Sequence, residues 1–217
     1  MSKILIIVEG IADVVFLRDY IKFLKSGCTI DEKELNKKKY IDINISENIE
    51  IKILVGGGYT AIENLPPKIK EYTDQGYKIS IIQDADNPKK ENGGVENRIK
   101  YLEDIKNKKS INFSIFLFPN NKDDGDLETL LLRITNKTKY DIADECYEKY
   151  IECTSKFSNK EFDDELREDK SRVFNYFRTY YGMDKAKEQN RYYEKDYWDF
   201  NHKDLEPLKD YINSNII

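Results

Sequence analysis

Three strand-like apolar runs in this chain end in carboxylates. Lys3–Val8 leads into Glu9-Gly10, with Asp13 one turn further on. Tyr77–Gln83 leads into Asp84-Ala85-Asp86. Phe113–Phe118 leads through Pro119 to Gly125-Asp126-Leu127-Glu128, where a new apolar segment starts. In a parallel α/β sheet these ends fall on one rim, the rim where such sheets bind ligands. Carboxylates crowded there repel one another unless a proton or a cation neutralises them. Hard divalent cations prefer such oxygen donors. The expected chemistry is therefore Mg²⁺ or Mn²⁺ binding, directed at phosphate.

Each acid also has a plainer reading. Glu9 and Asp13 flank the start of a helix, where acids complement the helix dipole for about 0.3–1 kcal/mol. Asp84 and Asp86 are one residue apart, so an extended backbone would aim both the same way. They could instead form a solvated turn ahead of Pro88. Asp126 and Glu128 point about 200° apart on a helix, so one of them is expected to face the rim, and Glu128 is favoured. Asp126 alternatively caps the helix. Gly56-Gly57-Gly58 could admit a phosphate to backbone N–H groups, or simply make a tight turn. No GxxxxGK[ST] motif is present. The lone histidine, His202, argues against zinc and against a histidine-based nucleophile system. Lysine clusters at 37–39 and 106–109 read as solvated surface, with a backbone-binding patch as the other reading.

The elements that must position these groups alternate. Lys3–Val8 is a continuous β-branched run, the pattern of a strand buried on both faces. Ile11 to Leu24 carries Val14, Leu17, Ile21 and Leu24 at helical spacing, with Gly27 as a stop. Tyr40–Ile45 alternates and can add a strand. Ile49–Val55, Tyr77–Gln83 and Ile111–Phe118 complete the strands. Helices are expected at Thr60–Thr73, interrupted at Pro66-Pro67, at Val95–Lys106 with Ile99, Leu102 and Ile105 inward, and from Asp126 to Ile134. This order predicts α/β architecture with a central parallel four-stranded sheet and right-handed crossovers. After about residue 137 the pattern becomes helical, over Lys139–Phe157 and Asp163–Tyr181, and then aromatic-rich around Trp198. The expected division is 1–136 as the metal-binding domain and 137–217 as a helical C-terminal extension packed on it. Tyr176, Phe177, Tyr180, Tyr181, Tyr192, Tyr193, Tyr197 and Trp198 read as helix packing, with base stacking as the alternative.

At 217 residues, 39% hydrophobic and 35% charged, the chain has room for one large domain or a domain plus an appendage. No apolar run nears the ~20 residues of a spanning helix. The N-terminal apolar stretch is too short for a signal peptide, so the expected location is the cytoplasm. A net charge of −5 argues against attraction of nucleic acid by the whole molecule, but not against metal-mediated phosphate binding. Cys28, Cys146 and Cys153 have no CxxC spacing and are expected to be reduced thiols.

Together, Val8-Glu9-Gly10-x-x-Asp13, Asp84-x-Asp86 and Gly125-Asp126-Leu127-Glu128 resemble the Toprim fold. That fold is the catalytic module of topoisomerases, bacterial primases, and OLD-family and small recombination proteins. The chain is most similar to small stand-alone Toprim-like proteins of the DUF3226 type, over roughly residues 3–135. The resemblance implies a Rossmann-like core and a Mg²⁺- or Mn²⁺-dependent nuclease of OLD-like type acting on DNA or RNA. It implies metal ligation by Glu9, Asp13, Asp84, Asp86 and Glu128, and catalytic roles for Glu9, Asp84, Asp86 and the downstream basic residue Lys170. The chain lacks the DNA gate and zinc domain of topoisomerases and primases, so those activities are not implied. It also lacks the ATPase domain of OLD nucleases, which leaves room for a separate ATPase partner. A non-catalytic Toprim-like module binding nucleotide or nucleic acid is the rival expectation. Oligomeric state is left open.

Overall fold

The computed structural model describes residues 2–30, 40–46, 48–157, 159–193 and 195–216. Lysines 37–39 lie outside the described residues. The strands are β1 (Ser2–Val8), β2 (Thr29–Ile30), β3 (Tyr40–Ser46), β4 (Ile49–Val55), β5 (Tyr77–Asp84) and β6 (Ser114–Phe118). They form one sheet in the order β2-β3-β4-β1-β5-β6. β4, β1, β5 and β6 run parallel, in registers that set Val8 beside Val55 and Ile82, and Asp84 beside Phe118. The sheet is therefore mixed and six-stranded, not four-stranded. The alternating Tyr40–Ser46 segment pairs antiparallel with β4, and β2 pairs antiparallel with β3. A short hairpin suffices for such a pairing, whereas a parallel one needs a crossover.

The nine helices of the described residues are α1 (Ile11–Leu24), α2 (Pro66–Asp74), α3 (Val95–Lys109), α4 (Leu127–Arg133), α5 (Lys137–Thr154), α6 (Lys160–Arg167), α7 (Asp169–Tyr181), α8 (Met183–Ala186) and α9 (Glu206–Asn215). Ile4 through Val8 are all buried, as the unbroken apolar run requires. Ile4, Ile6 and Val8 face one core, shared with α1, α4, α7 and α9. Leu5 and Ile7 face a second core with Ile69 of α2 and Leu102 and Ile105 of α3. Helices thus cover both faces, and each fully buried Ile or Leu side chain contributes roughly 1.5–3 kcal/mol.

Local chemistry moved several boundaries. Pro66 and Pro67 open α2 rather than interrupting a helix, because proline's missing N–H is harmless in a first turn. A 3₁₀ turn, Tyr59–Asn64, precedes them. The long helix expected at 163–181 is two helices, α6 and α7. On α3 the inward stripe is Arg98, Leu102 and Ile105, while Ile99 is 38% exposed.

The C-terminal aromatics pack together. Trp198 lies with its ring centroid 5.0–5.2 Å from those of Tyr176, Phe177 and Tyr193. The same core cluster holds Phe16 of α1 and Phe118 of β6. The Tyr211 hydroxyl of α9 hydrogen-bonds Ser80 of β5 and Ser114 of β6 at 2.5 and 2.8 Å. His202 accepts a hydrogen bond at Nδ1 from the Asp204 N–H, a local capping role. The three cysteines are free thiols, and Cys146 and Cys153 are exposed. No helix of the described residues is long and apolar enough to cross a membrane.

Candidate functional site

From β1 the chain moves to β4 on one side and later to β5 on the other. The strand order therefore reverses between β1 and β5, which is where open parallel sheets leave a crevice beyond their C-terminal ends. Glu9 follows β1 and Asp84 ends β5, so both stand at this crevice. Glu9 Oε1 accepts the Asp84 N–H at 3.2 Å. Asp84 Oδ1 accepts the Leu127 N–H at 2.9 Å, which draws the first turn of α4, with Glu128, over the end of β5. Asp13, in the first turn of α1, accepts the Gly10 N–H at 2.8 Å.

The glycine run holds β1 in place rather than cradling phosphate. The N–H of Gly56 donates to Val8 O at 2.6 Å, and those of Gly57 and Gly58 donate to Glu9 O. Gly57 and Gly58 have φ of +100° and +90°, a region open to glycine. A Cβ on Gly56 would sit 3.1 Å from the Val8 carbonyl oxygen and 3.3 Å from Ile7 Cγ2. Gly56→Ala is thus expected to destabilise the protein by about 1–2 kcal/mol through overpacking. A urea midpoint equal to wild type would show that the β1–β4 junction has slack.

Burial and mutual repulsion push these acids toward their protonated forms. For Asp84 burial acts first, then the charges of Asp13, Glu9, Asp126 and Glu128, and its pKa rises well above the usual carboxylate range. Asp13 is pushed up to about 8 by burial and by Glu9, Glu128 and Glu188, against the opposing Gly10 hydrogen bond. Glu9 is raised mainly by burial, opposed by the Asp84 N–H and by Arg98. Glu128 is raised by burial and Asp126, opposed by Arg191 and Lys170.

The remaining predicted residues divide. Asp86 has φ of +63°, so the extended geometry that would align it with Asp84 is absent. Its carboxylate instead meets Arg98 Nη2 at 2.6 Å and Lys90 Nζ at 2.7 Å. Asp126 caps α4: its Oδ1 accepts the Thr129 N–H at 2.8 Å. Lys170 reaches the cleft of about 510 Å³ that Asp84, Asp86 and Glu128 line, with its Nζ 3.4 Å from Glu188.

Two buried cations escaped the sequence reading. Arg98, fully buried, stacks 4.0 Å over the Tyr59 ring while it holds Asp86. A stripe at 98, 102 and 105 fits helical spacing as well as one through Ile99, but it places a charge inside. Arg191, 2% exposed, lies 3.9 Å from Glu128. No periodicity in its aromatic surroundings marks it.

The donor set has the chemistry of a hard-cation site, with carboxylate oxygens and no thiol or imidazole. As the side chains stand, however, no three His, Cys, Asp or Glu among the described residues could hold one metal ion. Glu9 and Asp84 each commit an oxygen to a backbone N–H.

The family model described as "Protein of unknown function (DUF3226)" matches residues 3–216. No curated protein matches the chain. Among solved structures it is similar to the crystal structure of a hypothetical protein from Pyrococcus horikoshii OT3. That match has 12% identity and a TM-score of 0.42, covering 87% of this chain and 99% of that one.

Proposed function

We propose that this chain, which belongs to the DUF3226 family, is a metal-dependent phosphodiester hydrolase acting on DNA or RNA in the cytoplasm, built on a Toprim-like core. One observation carries the reading. Four acids, Glu9, Asp13, Asp84 and Glu128, gather at the reversal of strand order, all with raised pKa values. Such a cluster is neutralised either by protons or by a cation, and oxygen donors gathered at a strand-order reversal suit a hard cation.

Glu9, Asp13, Asp84 and Glu128 would hold Mg²⁺ or Mn²⁺, after Glu9 and Asp84 turn from their backbone partners. Bound there, the ion would activate water and stabilise the leaving oxygen. Asp86 would join once released by Arg98 and Lys90. Lys170, exposed at the cleft edge, would take a phosphate oxygen and orient the diester. Arg191 would offset the charge of Glu128 behind it.

The test incubates purified protein with single-stranded DNA, duplex DNA and structured RNA in Mg²⁺ or Mn²⁺, with and without candidate ATPase partners. Cleavage by wild type and none by Glu9→Ala supports the proposal. Equal cleavage by both proteins refutes the site.

A second reading is favoured by the Arg98–Asp86 pair. A buried arginine that neutralises one motif acid suits a non-catalytic Toprim-like module that binds nucleotide or nucleic acid as a regulator. Metal binding without turnover on any of the three substrates would select it.

A further inference from the structure

A second cavity, of about 800 Å³, opens between α5 and α7 and meets the acid-lined cleft at Glu168 and Lys170, which line both. Its volume falls within the range of small-molecule sites. One wall carries Tyr147 and Tyr150, stacked with centroids 6.1 Å apart and planes 17° apart. Phe174, 36% exposed, stands on α7 and lines the same cavity. Arg178 adds an exposed cation.

The lining also includes Arg191, whose side chain is 2% exposed. Its Nε donates to Ala186 O at 3.3 Å, but its Nη1 has no hydrogen-bond partner. Glu128, at 3.9 Å, is beyond hydrogen-bond reach. The charge of Glu128 and the Phe177 ring, 5.0 Å from the guanidinium, offset its burial. A buried N–H without an acceptor still carries a cost that an arriving acceptor would relieve. Phosphate oxygens are well suited to a guanidinium.

From the residues shared by the two cavities, the exposed rings and the Arg191 Nη1 that lacks a hydrogen-bond partner, we infer that this cavity is a nucleotide pocket. It takes one base against Tyr150 and Phe174 and one phosphate oxygen at Arg191, next to the acid cleft. The inference rests on the proposed function in that it names the substrate unit of the same site, but base binding itself needs no metal. A free nucleotide and a residue of a single strand share this chemistry. The lining mixes four cations, Lys170, Arg178, Lys187 and Arg191, with three acids, Glu165, Glu168 and Glu188. Partly exposed rings beside Arg178 and Arg191 suit a planar base with its phosphate better than a protein helix, which would seek an apolar groove alone.

The test measures fluorescence anisotropy in EDTA with a labelled oligo-dT of about eight nucleotides, an abasic strand of equal length, and dTMP as competitor. Oligo-dT should bind roughly tenfold more tightly than the abasic strand, the size of one base–aromatic stack. Phe174→Ala and Tyr150→Ala, both on partly exposed rings, should each remove most of that difference and leave abasic binding unchanged. Arg191→Gln should weaken both strands. If that buried variant fails to fold, Arg178→Gln should do the same. Competition by dTMP supports the pocket with a free nucleotide as occupant, and binding of the strand alone supports it with nucleic acid as occupant. Equal binding of both strands, or full affinity in both aromatic variants, overturns it. So does a dimer, detected by sedimentation, that Phe174→Ala dissolves in a protein that binds no nucleotide. Base-dependent binding with no cleavage in Mn²⁺ would sink the hydrolase reading and leave the pocket. Cleavage with KM unchanged by both aromatic variants would do the reverse.

Discussion

Asp84→Ala is expected to lose Mn²⁺ binding in isothermal titration and to lower phosphodiester cleavage by about 10³-fold. Loss of a metal's stabilisation of developing charge is worth several kcal/mol, and about 4 kcal/mol corresponds to that factor. Asp84 is chosen because it connects the site. It donates its N–H to Glu9, accepts the Leu127 N–H, and feels the charges of Asp13, Glu9, Asp126 and Glu128. In the metal-free protein the same substitution removes a source of repulsion, although it frees the Leu127 N–H. A variant that keeps its fold and loses metal and turnover together identifies the site. Mn²⁺ binding equal to wild type would remove Asp84 from it, and with it the shared Glu9–Asp84 metal.

The metal-free protein is also expected to lose stability as pH rises from about 5 to 8.5. Asp13 sits near 8 and Asp84, Glu9 and Glu128 are all raised, each mainly by burial. In the unfolded chain these groups titrate near 4. Between those limits the folded protein binds more protons than the unfolded one, so the unfolding free energy falls with pH. The stabilisation is complete below about pH 4 and is lost as pH rises through the folded-state values. Glu50 and Glu148, held low by hydrogen bonds from Tyr77 and Arg172, act oppositely, but only near and below their ordinary range. Asp13→Asn keeps an acceptor for the Gly10 N–H and removes the charge. It should raise the melting temperature at pH 8 by roughly 5 °C or more, each kcal/mol being worth about 2–4 °C in a chain of this size. At pH 5 the difference should shrink. A wild-type melting temperature in EDTA that stays flat or climbs from pH 5 to 8.5 would contradict the buried acid cluster.

The parallel part of the sheet was legible because KILIIV, IEIKILV and YKISIIQ can be little else than strands buried on one or both faces. The helical spacing of 14, 17, 21 and 24 likewise fixes α1 with no partner in view. These are local signals, set by the two periodicities of the backbone. The acids at the ends of β1 and β5 were legible for the same reason: a strand end is visible in sequence, and one parallel rim collects such ends. Long-range pairing was not. Nothing local tells Gly56–Gly58 to spend their N–H groups on Val8 and Glu9 rather than on a ligand, since that depends on β4 lying beside β1.

Asp86 shows the limit most clearly. Its type and spacing match those of Asp84, yet a left-handed backbone and a buried Arg98, twelve residues later, turn its carboxylate to another partner. Arg191 reaches Glu128 from sixty-three positions away in the chain, brought there by aromatic packing around Phe177, over whose ring its guanidinium lies at 5.0 Å. The sequence by itself determined which residue types stand at the strand ends, and so the acid chemistry available. The tertiary structure decided which acids are buried together and which cations reach them. Burial and charge–charge energies depend on distances across the fold, and no spacing along the chain encodes those distances.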